Sequence, residues 1–341
     1  MKRVLAAAFA VPLALAVSPA AAHADPDPGL HIESVALNRT GVAVSGLNTV
    51  PVAVTVKGSF DRDAKMPVTV ILDRTGGSGQ LSTLFSTDLV RNPATGTWNG
   101  PLKVPSTANG TFKVVAVQVG GFNPSTDPMN EPTPYSGPAL AVTGVHQPRI
   151  TASVTPKVVP FNQPYTIKWA ISDAQTGKPY GSRIGVALKN DSGCVEYVGG
   201  RPTHYTDASG VVTKAYPGTS YNPLDCLAVP GDPWLNAYLA LTPARPAIVS
   251  AVPSRTSAPV GTVVPVNGSV AGGPFNCPVQ LQRLYGATQW RTVSSAAVRQ
   301  SGRFTVNAQP AYRGNIPYRI YFPACRPYVA GVSKVFYVRG T

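Results

Sequence analysis

Hydrophobic and polar residues alternate over many short stretches of the chain, and this alternation is the main guide to its fold. In the first third, three stretches place apolar residues two positions apart: Val52, Val54 and Val56; Val68, Val70 and Leu72; Phe112, Val114 and Ala116. A period of two is that of a β-strand with one buried and one solvated face. Turn residues separate the stretches, and Asn109-Gly110 between two of them is a strong hairpin signal. We therefore predict antiparallel strands in this region.

The same pattern continues to the end of the chain. One further strand is predicted to bury Tyr165, Ile167, Trp169 and Ile171, and another to bury Tyr318, Ile320 and Phe322. After residue 24, no stretch of about ten residues follows the helical period of 3.6. The predicted fold class is therefore all-β, with tandem β-sandwich domains at residues 25–146 (module one), 147–245 (module two) and 246–341 (module three).

The first 24 residues have the features of a secretory signal peptide. Lys2 and Arg3 precede an uncharged apolar stretch from Val4 to Val17, and the small-residue site Ala22-His23-Ala24 follows. That stretch is shorter than the roughly 20 residues that span a bilayer, which favours a cleaved signal over an uncleaved anchor. We expect a secreted, extracellular protein with no transmembrane segment after residue 24.

Composition is typical of a folded β protein. The chain contains 35 prolines and 32 glycines, and 43% of its residues are hydrophobic whereas only 13% are charged. A disordered chain is poor in β-branched and aromatic residues. Here short Val- and Thr-rich runs lie between the proline and glycine turns, as in all-β domains with many turns.

Four cysteines indicate disulfide bonds. An exported chain forms disulfides by default, and four cysteines allow three pairings. We predict the sequential pairing, with Cys194–Cys226 inside module two and Cys277–Cys325 inside module three. The alternative is a zinc site made of all four cysteines, but the chain lacks a close Cys-x-x-Cys pair and the site would span two modules.

Module three contains six short motifs in a characteristic order. In order, they are Val-Gly-Thr at 260–262, Gly-x-Val at 268–270, Val-x-Leu-Gln-Arg at 279–283, Trp290, Gly-Arg-Phe at 302–304 and Tyr-Arg at 318–319. The module thereby resembles the immunoglobulin-like repeats of secreted actinobacterial proteins, and the resemblance covers about a third of the chain well and the rest weakly. It implies tandem immunoglobulin-like sandwiches, with Tyr318 as a tyrosine corner. The module departs from the repeat pattern in carrying Cys277 and Cys325, which suggests an added bridge between strands. It implies little about activity, because such repeats serve as spacers, adhesins and attachments to enzymes.

No arrangement of residues is typical of a catalytic site. The sequence has no Gly-x-Ser-x-Gly elbow and no His-Glu-x-x-His pair. After residue 24, the histidines are dispersed and glutamate is scarce: His31, His146 and His204; Glu33, Glu131 and Glu196. We predict no catalytic residues and no cofactor, and we expect a protein that is not an enzyme.

Three aspartates in module one are a candidate calcium site. Asp61 and Asp63 form an Asp-x-Asp at a strand end, and Asp73 follows the next strand. Calcium prefers such oxygen clusters, but the remaining ligands are not evident and a solvated turn is the favoured interpretation. We therefore predict no metal ion.

Charge is distributed unevenly among the modules. The net charge is −1 for module one and +3 for module two, whereas module three carries ten basic residues and no acidic residue. Nine of these ten are arginine, whose planar fork suits phosphates and carboxylates. The candidate anion-binding residues, expected mainly on outer sheet faces, are Arg283, Arg291, Arg299, Arg303, Arg313, Arg319, Arg326 and Lys334.

These features predict a secreted, non-catalytic binding or structural protein of the cell envelope or extracellular space. Its basic module should attract polyanions, and the candidates are anionic cell-wall polymers such as teichoic acids, anionic glycans, lipid head groups and extracellular DNA. The alternative interpretation is that the positive charge of module three serves only to keep the protein soluble. The alternative functions are a secreted enzyme or an inhibitor with a loop-built site. The proline-rich loop from Asn123 to Pro138 is the candidate contact with an unknown protein partner.

Overall fold

The computed structural model of the chain describes residues 29–61, 66–120, 132–189, 202–218, 224–231 and 235–341. The predicted signal peptide, Cys194, Asp63 and most of the loop from Asn123 to Pro138 lie outside these ranges. Within them, regular structure consists of strands and one short 3₁₀ helix, Ser106–Ala108. No helix in the described ranges is long and apolar enough to cross a bilayer.

Module one is a sandwich of two sheets. Its strands are β1 Leu30–Leu37, β2 Gly41–Ser45, β3 Thr49–Phe60, β4 Val68–Gly76, β5 Thr83–Phe85, β6 Val90–Asn92, β7 Thr97–Pro105, β8 Gly110–Val119, β9 Thr133–Pro134 and β10 Ala139–Val145. One sheet has the order β1-β3-β7-β6, and the other has the order β2-β10-β8-β4-β5 with β9 against β8. Strands β2 and β10 are parallel, whereas β4 and β8 are antiparallel.

The residues of module one that the sequence predicts to point inward are buried, with one exception. The inward residues of β3 and most of those of β4 and β8 are fully buried around Trp98, whose indole N–H donates to the carbonyl of Met66 at 2.8 Å. Ala116 was expected on this inner face, and that expectation is wrong. A β-bulge skips Val115 in the pairing of β4 with β8. Ala116 therefore points to the opposite face, where it packs with Ile71 and Phe85.

Module two has the same two-layer construction. Its strands are β11 Pro148–Thr155, β12 Tyr165–Asp173, β13 Gly185–Lys189, β14 His204–Tyr205, β15 Val211–Tyr216, β16 Asp225–Val229 and β17 Ala237–Leu241. The sheet orders are β11-β12-β15 and β14-β13-β16-β17. The predicted inward face of β12 is confirmed, and Trp169 is fully buried at its centre.

Module three pairs a small sheet with a larger one. Its strands are β18 Val249–Pro253, β19 Ser257–Ala258, β20 Val264–Val270, β21 Pro278–Tyr285, β22 Gln289–Ala297, β23 Arg303–Ala308, β24 Gly314–Phe322, β25 Gly331–Val332 and β26 Phe336–Gly340. The small sheet has the order β18-β20-β23, and the larger has the order β19-β26-β24-β21-β22 with β25 against β24. The chain is therefore an all-β protein built of tandem immunoglobulin-like sandwiches, as the sequence predicts.

Two interactions close the core of module three. Cys277 and Cys325 form the predicted disulfide. Tyr318 is fully buried, and its hydroxyl donates to the upstream carbonyl of Gln309 at 2.9 Å, which is the bond expected of a tyrosine corner. Cys226 of module two is also disulfide-bonded, and its predicted partner, Cys194, lies outside the described residues.

Side chains of neighbouring modules pack into one another's cores. Leu47 of module one contacts the core of module two, and Phe161 of module two contacts the core of module three. Arg245 forms a parallel β-bridge with Tyr328 of module three. Its guanidinium is almost fully buried and donates to the carbonyls of Val159 and Pro160. The two junctions therefore contain packed side chains as well as a covalent linker.

Removal of the Cys277–Cys325 bridge should destabilise module three. The two cysteines are 48 residues apart in the sequence, and closing a loop of that length lowers the entropy of the unfolded chain. In the chain-entropy treatment, the free energy of unfolding should fall by about 4 kcal/mol in a C277S/C325S variant. Thermal unfolding of both proteins measures this difference. An unchanged unfolding temperature for the module would contradict the prediction.

Candidate functional site

None of the eight predicted anion-binding side chains is buried. Arg283 and Arg319 are half-buried, and the other six are exposed. They do not form one continuous patch. They are distributed over an outer sheet face, the two ends of the sandwich and the junction with module two, so each group is described separately.

Arg319 lies on the outer face of the larger sheet, as predicted. It pairs across strands with Gln282, whose side-chain oxygen accepts a bond from Arg319 Nε at 2.9 Å. Its guanidinium lies 4.4 Å from the centroid of the Trp290 ring. Tyr321 is two residues further along β24 and shares this face. An arginine stacked on an aromatic ring keeps the edges of its guanidinium available for hydrogen bonds.

Arg283 and Arg291 do not lie on the outer face, and the expectation of outer-face positions is wrong for this pair. Arg283 is two residues after the fully buried Leu281 on β21, and it pairs with the fully buried Tyr318 on β24. On its other side it pairs with Arg291 of β22. Paired residues share a face, so both arginines belong to the inner face where the sandwich opens at its end.

Arg299 and Arg303 lie together at the opposite end of β22. Arg299 Nε donates to the carbonyl of Arg303 at 3.3 Å, and its Nη2 donates to the hydroxyl of Thr305 at 3.2 Å. Arg313 is in the connection from β23 to β24, and Lys334 is in the connection from β25 to β26.

Arg326 lies at the junction of modules two and three. It lines two neighbouring cavities of about 330 and 540 Å³, and Thr242 and Pro327 are common to both. The exposed ring of Phe275 lies at the smaller cavity. Sequence reasoning could not locate this cleft, because its walls come from two modules.

The arginines of module three are held by neutral partners. In module one, Lys57 forms an ion pair with Glu33 at 2.6 Å. Module three contains no carboxylate side chain, and three of its arginines lie over aromatic rings: Arg283 and Arg291 over Tyr285, and Arg319 over Trp290. Aromatic rings attract a cation through their quadrupole but do not cancel its charge. The positive charge of the module is therefore not cancelled by its own side chains.

The titratable groups of module two have structural roles. Asp173 accepts bonds from the Thr176 hydroxyl at 2.7 Å, the Gln175 backbone N–H at 2.9 Å and His146 Nδ1 at 2.8 Å. These contacts close the turn after β12 against the end of module one. The Thr176 bond, followed by those of His146 and Gln175, lowers the pKa of Asp173 to about 2, although burial acts in the opposite direction.

A second carboxylate is fully buried in the core of module two. Asp225 Oδ2 accepts a bond from the Tyr165 hydroxyl at 2.9 Å, and the Tyr165 ring stacks on Tyr216 at 5.0 Å. Burial raises the pKa of Asp225, and it also raises the pKa of both tyrosines. The other carboxylate oxygen, Asp225 Oδ1, is buried and has no hydrogen-bond partner among the described residues.

The candidate calcium residues are not brought together in the described part of the chain. Asp61 lies 3.5 Å from His31 Nε2, whereas Asp73 accepts a bond from the Thr83 hydroxyl at 2.8 Å. Among described residues, no three His, Cys, Asp or Glu side chains are grouped as metal ligands. His204, the third dispersed histidine, bonds to the neighbouring Thr203 hydroxyl at 2.8 Å.

Two features near the candidate surfaces were missed in the sequence. One is the aromatic partner Tyr285, which could have been found because it lies two residues after Arg283 on the same strand face. The other is the packing of the proline-rich loop. Tyr135 in its described part packs on the core of module one, and its hydroxyl accepts a bond from the Val35 backbone at 3.3 Å.

Comparison with known proteins does not identify a family. No family model matches the chain, and no curated protein sequence matches it. Among solved structures, dimeric latent PorU from Porphyromonas gingivalis is 12% identical, with a TM-score of 0.25 over 90% of this chain and 34% of that chain. The D00-D0 domain of intimin is 11% identical, with a TM-score of 0.24 over 56% of this chain and 99% of that chain.

A tetra-tandem repeat from the extending region of a large adhesion protein is 12% identical, with a TM-score of 0.28 over 87% of this chain and 74% of that chain. The chain spans about a third of the length of PorU. These scores are too low to support an argument about function, and the fold class rests on the sheets of the chain itself.

The Asp173 turn should make stability depend on acid pH. Because the pKa of Asp173 is about 2 in the folded chain and about 3.9 in an unfolded chain, its contribution to stability is complete above about pH 4. It is lost as the pH falls towards 2. We expect D173N to lower the unfolding temperature at pH 7 and to differ less from the unmodified protein at pH 2.5.

Thermal unfolding at pH 7, 4 and 2.5 measures this effect. The matched control is D88N, which changes an exposed carboxylate of module one and should leave the unfolding temperature nearly unchanged at each pH. A constant difference between D173N and the unmodified protein over this range would contradict the assignment.

Proposed function

We propose that the protein is a secreted, non-catalytic binding protein of the cell envelope, and that module three attaches it to an anionic cell-wall polymer. The observation that supports this proposal is the concentration of ten basic residues, without an acidic residue, in one folded sandwich. The resemblance of module three to immunoglobulin-like repeats of secreted actinobacterial proteins agrees with an extracellular location.

The positions of these charges suit a polymer better than a single small ligand. The arginines occupy an outer sheet face, both ends of the sandwich and the junction with module two. A polymer with regularly repeated phosphates or carboxylates contacts several such positions at once. Each contact releases condensed counterions, so that affinity increases with the number of contacts and falls steeply with salt.

Aromatic contacts add to this effect. Tyr285 and Trp290 restrict the conformations of the arginines that lie over their rings, and such a restriction reduces the entropy lost when an arginine binds an anion. Modules one and two carry much less net charge than module three, and module one carries the loop from Asn123 to Pro138. In this proposal they present a surface to other molecules while module three is attached to the wall.

Binding to purified cell-wall preparations across a salt series tests the proposal. The variant R299Q/R303Q/R313Q/K334Q removes four exposed charges from module three without touching its core. We expect it to bind about tenfold more weakly at low salt, with a shallower dependence on salt because fewer counterions are released.

The matched control is R39Q/R149Q/K157Q/K168Q, which removes four exposed charges from modules one and two. It should bind within about twofold of the unmodified protein, because those charges lie outside the basic module. Equal weakening by the two variants, or no binding of the unmodified protein at low salt, would refute the proposal.

A further inference from the structure

Two arginines of module three lie directly opposite each other at the open end of the sandwich. Arg283 of β21 and Arg291 of β22 are cross-strand partners in the antiparallel register. Like charges in this position are normally destabilising. No aspartate or glutamate occurs anywhere between residues 246 and 341 to compensate for them. The module therefore maintains a local concentration of positive charge that its own side chains do not neutralise.

Tyr285 holds both guanidinium groups in place. Their central carbons lie 4.4 Å (Arg283) and 4.9 Å (Arg291) from the centroid of its ring. Arg283 also donates to the Tyr285 hydroxyl and bonds to the hydroxyl of Tyr318, and Arg291 donates to Gln289 Oε1 at 2.9 Å. These neutral contacts fix the orientation of the two cations and use only part of their ten N–H donors.

A cavity of about 400 Å³ opens beside Arg283. Arg283 is the charged residue of its lining, and Asn307 and Gln309 are its amide residues. The side-chain nitrogen of Gln309 donates to the carbonyl of Gly261 at 2.6 Å. Val260, Val293 and Pro310 contribute apolar surface. A concave, mainly apolar space with a few converging polar groups is the usual form of a small-ligand site, and this volume exceeds the size of a bare inorganic anion.

The shape of the cavity also depends on a backbone irregularity. The pairing of β21 with β22 skips Val293, which leaves a β-bulge just after Arg291. The bulged residue is partly exposed and lines the cavity. Bulges redirect side chains at the rims of sheets and next to binding sites. The same bulge thus places an apolar wall beside the paired arginines.

We propose that Arg283, Arg291 and the adjoining cavity bind one repeat unit of an anionic glycan or polyol polymer. The arginines bind the singly charged oxyanion of this unit, which is a phosphodiester or a carboxylate, and the attached sugar or polyol lies in the cavity. Both anions present two terminal oxygens, which match the paired N–H groups of a guanidinium. This inference rests on the proposed function, because it names the site on module three where the polymer is held specifically.

Binding of the full-length protein to immobilised poly(glycerol phosphate) and, separately, to polygalacturonate tests the site. These two probes distinguish a phosphodiester from a carboxylate source. We expect R283Q/R291Q to bind at least about tenfold more weakly to the preferred polymer, because two charge-assisted contacts are lost. Circular dichroism and thermal unfolding verify that the variant is folded.

The comparison variant is R299Q/R303Q, which removes the same charge from the other end of the sandwich. We expect it to weaken binding only about threefold, since it loses general attraction and not the contacts of the proposed site. Equal weakening by the two double variants would overturn the proposed site and leave the proposed function intact. If the unmodified protein bound neither of the two polymers, the proposed function would be refuted.

A measurement on the unmodified protein avoids any effect of the substitutions on folding. Nitrogen-15 NMR of the arginine Nε–H groups follows titration with dimethyl phosphate and with methyl galacturonate. We expect saturable shifts at Arg283 and Arg291 that exceed those at Arg299 and Arg303. Small, non-saturating shifts of similar size at all four arginines would overturn the site.

Discussion

The burial of one face of each sheet against its partner is the constraint on which the rest of this molecule depends. Trp98, Trp169 and Tyr318 are fully buried between the sheets of the three modules, where each removes a large apolar surface from water. Because the inner faces are filled in this way, most charged side chains lie on outer faces, in loops and at the ends of each sandwich, whereas Asp225 and Arg245 are buried and hydrogen-bonded. The distribution of arginines in module three follows from this packing.

Module three has no carboxylate side chain to pair with its arginines. Elsewhere in the chain, Lys57 forms an ion pair with Glu33, although Arg183 and Arg245 also lie over aromatic rings. In module three, stacking on Trp290 and Tyr285 provides the order that an ion pair would otherwise provide, and it does so without cancelling the charge. In the function that we propose, this uncancelled charge is what attracts the anionic polymer, which connects the packing of the module to that proposal.

A β-bulge explains why the prediction for Ala116 failed. Alternation correctly predicted the buried faces of β3, β12 and β24, because a period of two determines which side chains share a face when pairing is regular. When one residue is skipped in the pairing, the residues beyond it point to the opposite face from the one that the alternation predicts. The bulge at Val115 turns Ala116 away from the core, and the bulge at Val293 shapes the wall beside Arg291. A bulge depends on the register between two strands and has no signal in either strand alone.

The sequence by itself determined the strand-rich class, the inward residues of the regular strands and the concentration of positive charge in module three. These properties are local, or they are sums over a segment, so they can be read from composition and spacing. Only the tertiary structure decided that Arg283 and Arg291 lie opposite each other beside a cavity, and that Arg326 lines a cleft at the junction of two modules. Such positions depend on strand register and on packing between residues distant in the sequence, because those contacts form only when the sheets come together.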